Sequence, residues 1–189
     1  MADAQLARYD DHPPADLVAG AFYVGLAALT HADPHPDAYL AAERKIADRY
    51  HWQLTTSRAA RNIAHADNEC FAQMLIDLAV TDHDLARLDP LRKPFDGIIA
   101  GYDHPTPENE RAWLNDPKRD GAVMPWWWCD SFFMAPPALA RLSAVTGDPK
   151  YIDAMDKQWW ITTGRLYDTN AHLFSRDARF LNRRSPNGK

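Results

Sequence analysis

The segment from Trp126 to Pro137, WWWCDSFFMAPP, contains the residue types best suited to chemistry in this sequence of 189 residues. Asp130 directly follows three tryptophans, although a buried carboxylate is costly unless it is paired or kept neutral. One interpretation is structural: Asp130 caps the following helix, and the tryptophans fill a core. The other is catalytic: desolvation raises the pKa of the carboxyl group, which then donates a proton.

Two consecutive prolines, Pro136 and Pro137, favour the catalytic interpretation. A proline inside a helix has no N–H group to donate to the carbonyl four residues earlier. The carbonyl oxygens of Phe132 and Phe133 are therefore left without helical donors, and helices interrupted in this way often border cavities.

A second polar cluster, HADNEC, extends from His65 to Cys70. Asp67 is interpreted either as a helix N-cap or as a second carboxyl group opposite Asp130, which would give the acidic pair that glycosidic chemistry commonly needs. His65 and Glu69 are four residues apart and would share one face of a helix, a spacing that metal ligands can have. No HExxH motif and no second His or Cys pair completes a site of about four ligands, so we predict no metal and no cofactor.

Charged residues near His172 form a third and weaker candidate site. Arg176, Asp177 and Arg179 are typical of a solvated charge run. The alternative is the binding of a ligand that bears a carboxylate, for which the planar guanidinium group is well suited.

Composition excludes several classes of protein. With 26 acidic and 21 basic side chains and a formal net charge of −5, the chain lacks the basic cluster of a nucleic-acid-binding protein. The longest apolar run, near 17–29, is too short and too rich in Gly and Ala to span a membrane. The 2 cysteines do not make a disulfide framework. The N-terminus lacks the features of a secretory signal, so we expect a cytoplasmic location.

Apolar residues recur at helical spacing along most of the chain, which predicts an all-α fold. The predicted helices begin near Leu17, Tyr39, Phe71, Leu88, Phe132 and Tyr151. Asp16 is the predicted N-cap of the first helix, and Gly147 the predicted stop of the fifth. A long loop rich in Pro, Asp and Asn is predicted at 102–125, and a short hairpin at 172–180.

The sequence also contains a faint internal repeat. Residues 21–34 resemble residues 132–149, since each segment reads as an apolar helix followed by a tight Asp-Pro turn and the start of a second helix. With the helix pair between them, the chain is predicted to hold about three helical hairpins. Repeated hairpins build solenoids or closed toroids, in which each unit buries its apolar face against the next.

The motif Trp-Cys-Asp-x-x-Phe-Met-Ala-Pro-Pro, present here at 128–137, resembles the hallmark of the unsaturated glucuronyl and rhamnogalacturonyl hydrolases. These enzymes form glycoside hydrolase families 88 and 105, and the resemblance is closer to family 105. The segment GAFYVGL at 20–26, Asp67 and Gln73 are similar to the family's first and third helices. The resemblance covers nearly the whole chain.

This resemblance implies an (α/α)6 toroid that removes a 4,5-unsaturated uronic acid from the non-reducing end of lyase-generated oligosaccharides of the pectin or rhamnogalacturonan type. An acid protonates C4 of the C4=C5 double bond, water adds at C5, and the resulting hemiketal collapses to release the neighbouring sugar. The resemblance places the catalytic roles on Asp130 and Asp67. It places Trp128, Met134 and His172 along the sugar pocket.

Members of these families continue for roughly as many residues again, through a further segment that contacts substrate. We therefore expect residues 1–189 to be a single partial (α/α)6 domain, truncated at its C-terminus, with three of six hairpins in an open toroid. Such a fragment would expose an apolar face and self-associate, and its activity alone is in doubt.

Two alternatives stay open. In a non-catalytic helical-repeat binding module, Asp130 would form a salt bridge, whereas in the enzyme it would lie at the floor of an aromatic cleft. A sugar epimerase or isomerase with an α/α toroid would instead need a pair of catalytic histidines, which the sequence does not display.

Overall fold

The computed structural model describes residues 1–9, 12–56, 65–102 and 126–181, without the side chain of Arg179. Its helices are α1 Ala2–Tyr9, α2 Leu17–Ala32, α3 Asp37–Arg49, α4 Ala66–Glu69, α5 Ala72–Thr81, α6 Asp89–Gly101, α7 Ser131–Thr146 and α8 Lys150–Leu166. Two 3₁₀ turns, at Leu85–Leu88 and Ala178–Phe180, and two short strands, β1 Tyr167–Asp168 and β2 Leu173–Phe174, complete the described elements. The all-α class is confirmed.

Each predicted helix has its counterpart among α2, α3, α5, α6, α7 and α8. The Asp16 carboxylate accepts from the backbone N–H of Ala19 at 3.0 Å, as an N-cap does. Gly147 ends α7 with a φ of 70°, the left-handed conformation that glycine adopts without steric cost. The short helices α1 and α4 were not among the predicted elements.

A hairpin forms in this part of the chain, but only its second strand, β2, lies within the predicted range 172–180. Tyr167 pairs with Phe174 and Asp168 with Leu173, so that the first strand precedes 172–180. The Asp168 carboxylate accepts from the backbone N–H groups of Asn170 and Ala171, which makes the turn. The predicted loop at 102–125 lies, apart from Tyr102, outside the described residues.

The repeat corresponds to two similar hairpins, α2–α3 and α7–α8, with α5 and α6 as a third helix pair. Helix α5 lies at the centre, because it contacts α2, α3 and α7. Its residues Met74, Leu75 and Leu78 are buried in the core. In the described part of the chain, no helix is long and apolar enough to cross a bilayer.

Two close approaches hold α5 and its preceding turn against neighbouring helices. A Cβ atom at Gly20 of α2 would lie 3.2 Å from Cys70 Sγ, so only glycine allows this contact without a shift. Cys70 and Cys129 are both free thiols. In α7, the carbonyl oxygen of Phe133, which Pro137 leaves without a helical donor, accepts from Gln73 Nε2 on α5.

Candidate active site

Asp67 and Asp130 line the same cleft, which lies where α4 and α7 begin. The lining also includes His65, Ala66, Trp126, Trp127, Trp128 and Ser131, around a volume of only about 10 Å³. This volume is far below the usual range of about 300–1,000 Å³ for sites that enclose a small molecule. The structure therefore brings together the two acids that the sequence singled out, in a narrow cleft between tryptophan rings.

Asp67 is not the cap of its helix. His65 is the N-cap residue of α4, and its Nδ1 accepts from the backbone N–H of Asp67 at 3.3 Å. The same Nδ1 lies 3.4 Å from Asp67 Oδ1. Because His65 fulfils the capping role, the Asp67 carboxylate remains available to the cleft.

The Asp130 side chain does not cap its helix either. It occupies the position before α7 with helical angles, φ −68° and ψ −18°, and its carboxylate makes no capping hydrogen bond. The residue is exposed at the mouth of the cleft. Across the described ranges, none of the ion pairs includes Asp130, so the salt bridge that would favour a binding module is not found there.

The environment of Asp130 favours its protonated form. Desolvation, and after it the negative charge of Asp67, raises the pKa of the Asp130 carboxyl above its ordinary value. The positive charge of Arg176 and the ring of His65 act in the opposite direction, with smaller effect. A carboxyl group whose pKa is raised beside a second carboxylate keeps its proton to a higher pH than an ordinary aspartate does, which makes it a candidate general acid.

Trp126 anchors the tryptophan segment in the core. It is buried, and its backbone has a φ of 53°, which is uncommon for a residue with a side chain. Its Nε1 donates to the Tyr102 hydroxyl at 3.1 Å, and its carbonyl oxygen accepts from Thr162 Oγ1 at 3.2 Å. These contacts hold the strained backbone and direct Trp127 and Trp128 to the cleft.

The opposite side of the cleft is braced by residues after the hairpin. The Cys129 N–H donates to the carbonyl oxygen of Arg176 at 2.9 Å, and Trp128 forms an isolated bridge with Asp177. Asp177 is fully buried, so the prediction of a solvated charge run is wrong at this residue, because backbone pairing draws it inward. The Arg179 side chain lies outside the described residues.

The sequence analysis did not predict that the acidic side chain of Glu69 lies in the core. It is fully buried, and burial raises the pKa of its carboxyl to about 8. The Tyr102 hydroxyl lies 3.4 Å from its Oε2, while Oε1 has no hydrogen-bond partner among the described residues. The spacing itself was a signal: residues two apart on a helix point to opposite sides, so Asp67 at the cleft sends Glu69 into the core.

A metal site at His65 and Glu69 finds no support, since the His65 side chain lines the cleft and the Glu69 side chain is in the core. Over the ranges that the structure describes, no group of three or more His, Cys, Asp and Glu side chains could hold a metal ion.

The structure does not bring two of the predicted sugar-contacting residues to the cleft. Met134 lies one helical turn beyond Asp130, where α7 packs on α5, and is only 1% exposed. His172 is exposed in the turn between β1 and β2, where its Nδ1 is 3.4 Å from the Tyr167 hydroxyl. Trp128 does line the cleft.

Two relatives with the same name match most of this chain. The chain is 34% identical over 170 residues to an "Unsaturated 3S-rhamnoglycuronyl hydrolase" of Formosa agariphila, an alignment that covers 89% of this chain and 42% of the relative. It is 27% identical over 179 residues to a protein of the same name from an Alteromonas species, covering 91% of this chain and 41% of that one. The chain thus spans about two fifths of the length of these relatives.

Solved structures show the same fold. A protein titled as a polysaccharide lyase superposes with a TM-score of 0.75 at 20% identity, over 97% of this chain and 51% of that one. A glycosyl hydrolase family 88 protein from Bacteroides vulgatus superposes with a TM-score of 0.69 at 18% identity, over 94% of this chain and 48% of that one. The model of Glycosyl Hydrolase Family 88 matches residues 1–189. This chain therefore belongs to glycoside hydrolase family 88, one of the two families that the Trp-Cys-Asp motif resembles.

Proposed function

We propose that this chain provides the acidic cleft of an enzyme that removes a 4,5-unsaturated uronic acid from the non-reducing end of lyase-generated oligosaccharides. The observation that carries the proposal is the Asp130 carboxyl, whose pKa is raised beside Asp67 in a cleft lined by tryptophan rings. Family membership and the names of the two relatives support the same reaction. The chain is proposed to act as one partial domain of an (α/α)6 toroid.

In the proposed reaction, the Asp130 carboxyl gives its proton to C4 of the C4=C5 double bond. The positive charge that develops at C5 is shared with the ring oxygen, and water adds at C5 while returning a proton to the Asp130 carboxylate. The hemiketal then opens to a C5 ketone, and the hemiacetal at C1 releases the neighbouring sugar. No covalent bond to the protein is needed.

Asp67 would contribute through its charge. Its carboxylate raises the pKa of Asp130 and so favours the acid form before reaction. Once Asp130 has given up its proton, two neighbouring carboxylates stabilise the positive charge that develops on the sugar ring. Trp128 offers an aromatic surface for the sugar.

The substrate class is argued from the relatives. Both are named for a rhamnoglycuronyl unit, so we propose a uronic acid attached to rhamnose as the preferred end group. The test is the decay of ultraviolet absorbance of the conjugated C4=C5 uronate, measured with unsaturated uronyl-rhamnose, pectin and glycosaminoglycan disaccharides. Absorbance that stays constant with all three unsaturated disaccharides would contradict the proposed reaction, and equal rates with all three would contradict the preference for rhamnose.

No specific observation favours another function. Among the described residues, Asp130 lacks the ion pair expected in a binding module, and His65 is the one histidine of those residues that lines the cleft, whereas an epimerase would need a pair.

A further inference from the structure

A cationic side chain lies beside the acidic cleft. The guanidinium carbon of Arg176 is 4.3 Å from the centre of the Trp128 ring, which itself lines the cleft. The side chain is 56% exposed. A guanidinium held over an aromatic ring is restricted in position, and its N–H groups that point away from the ring stay accessible.

The hydrogen-bonding capacity of this guanidinium is unused by its described neighbours. The nearest carboxylate oxygen is Asp177 Oδ2, which is 4.0 Å from Nε and therefore beyond hydrogen-bond distance. None of the hydrogen bonds between described residues has an Arg176 side-chain donor. Arginine has five N–H donors in a planar fork that matches the two oxygens of a carboxylate.

The cleft needs such a cation if its ligand is an acid. Asp67 and Asp130 would repel a carboxylate that approaches them. The unsaturated uronic acid of the proposed reaction carries a carboxylate on C5, one bond from the carbon that takes up water and two from the carbon that takes up the proton. A group that fixes this carboxylate therefore also fixes both reacting carbons.

We propose that Arg176, held against Trp128, binds the carboxylate of the unsaturated uronic acid and so orients its C4=C5 bond toward Asp130. This inference rests on the proposed function for its ligand. The subsite it defines consists of a cation on an aromatic surface beside an acid, and it selects uronic acids over neutral sugars.

The competing explanation is that Arg176 only supports the cleft. Its backbone carbonyl accepts from Cys129, and its guanidinium is also 5.7 Å from the Phe180 ring. Purely structural support would not depend on the charge of the ligand, and this difference makes the two explanations separable.

The experiment measures the binding of two ligands to the 189-residue chain by titration calorimetry. One is an unsaturated uronyl-rhamnose disaccharide, and the other is its methyl ester, which keeps the ring and the double bond but lacks the negative charge. The variants are Arg176→Gln and Arg176→Lys, with Arg92→Gln as a matched control, because Arg92 is a half-exposed arginine on α6 that does not line the cleft. Circular dichroism checks that each variant is folded.

We expect the parent chain to prefer the acid to the ester. Arg176→Gln should weaken binding of the acid by about 10- to 100-fold, as loss of a charged hydrogen-bonding pair does, and leave binding of the ester unchanged. Arg176→Lys should restore part of the affinity, since it keeps the charge but loses the planar fork. Added salt should weaken binding of the acid in the parent but not in Arg176→Gln.

The outcomes separate this inference from the proposed function. Equal affinity for acid and ester, or no binding of either, overturns the inference, even where the absorbance assay detects hydrolysis by the parent chain. Acid-selective binding that Arg176→Gln abolishes, without any decay of absorbance, supports the carboxylate subsite and contradicts the proposed reaction.

Discussion

Gln73 on α5 replaces a backbone hydrogen bond that Pro137 removes from α7. Its Nε2 donates to the carbonyl oxygen of Phe133 at 2.8 Å and to that of Met134 at 3.0 Å. Gln73 is 2% exposed, so water cannot take its place. The amide is held from its other side by Arg141, whose Nη1 donates to Gln73 Oε1 at 3.2 Å.

If Gln73 compensates for Pro137, replacing the proline should reduce the stability that is lost when Gln73 is replaced. Gln73→Leu should lower the free energy of unfolding by about 1–3 kcal/mol, because it leaves the carbonyl oxygen of Phe133 without a donor. In a Pro137→Ala background, the alanine N–H can donate to Phe133, so the same substitution should cost less. Chemical denaturation of the four proteins measures both losses. Equal losses in the two backgrounds would show that Gln73 does not compensate for the proline.

The sequence could predict that the prolines leave carbonyl groups open, because this follows from the missing N–H alone. It could not predict the partner, since Gln73 is 60 residues away and meets Phe133 only through the packing of α5 on α7. The same limit explains why Met134, which was predicted to line the sugar pocket, lies in the core. A motif shows which residues are adjacent in the chain, but which side of α7 faces α5 is decided by tertiary packing.

The positions of the two acids of the cleft were predicted better than the position of Met134. Asp130 and Asp67 each stand at the start of a helix, and helices that begin at one rim bring such residues together. Neither acid caps its helix, which was the alternative interpretation of each: His65 caps α4, and Asp130 already has helical angles.

The two glycines of α2 are predicted to respond differently to alanine. Gly25→Ala places its methyl group in open space and should raise the free energy of unfolding by about 0.5–1 kcal/mol. Gly20→Ala should give no such gain, because the methyl group meets Cys70 at 3.2 Å. Thermal unfolding of the two variants checks the difference, and an equal gain at both positions would contradict the close approach of α2 to Cys70.

Glu69 is predicted to make stability depend on pH. Its pKa rises from 4.5 to about 8 on folding, so the free energy of unfolding is highest below pH 4.5 and decreases as the pH rises to about 8. Glu69→Gln should remove this decrease, which amounts to at most about 1.4 kcal/mol per pH unit.

Glu43 provides the matched control for this measurement, since burial raises its pKa to about 7 and it contacts Thr30, away from the cleft. Glu43→Gln should therefore flatten the profile only below about pH 7. Denaturation at several pH values from 5 to 9 gives both profiles. A Glu69→Gln profile parallel to that of the parent would show that Glu69 is ionised in the folded state.

Self-association is a further prediction. Val18, Trp160 and Leu173 are large apolar side chains that are each more than half exposed, at 74%, 63% and 67%. Such surfaces promote association when they are contiguous. Light scattering coupled to size-exclusion chromatography should detect species larger than the 21.4 kDa monomer. A strictly monomeric sample over a wide range of concentrations would contradict the prediction.

The charge of Asp67 should be visible in the pH dependence of the reaction. Asp130 must be protonated to act, so the rate falls as the pH rises through its pKa. Asp67→Asn removes the negative charge that helps to raise this pKa, and the alkaline limb of the kcat profile should therefore move to lower pH. A limb that stays in place or moves to higher pH would show that the two carboxyl groups do not interact.

The most direct test is the absorbance assay with Asp130→Asn. Asparagine keeps the shape of the side chain but cannot donate a carboxyl proton to C4, and general acid catalysis contributes about 10²–10⁴-fold to a rate. Asp84→Asn is the control, because Asp84 is a half-exposed acid that pairs with Arg87 away from the cleft. We predict that Asp130→Asn lowers the rate of loss of the C4=C5 absorbance by at least 10²-fold, while Asp84→Asn leaves it unchanged. An Asp130→Asn variant that consumes the unsaturated disaccharide at the parent rate would show that another group is the acid.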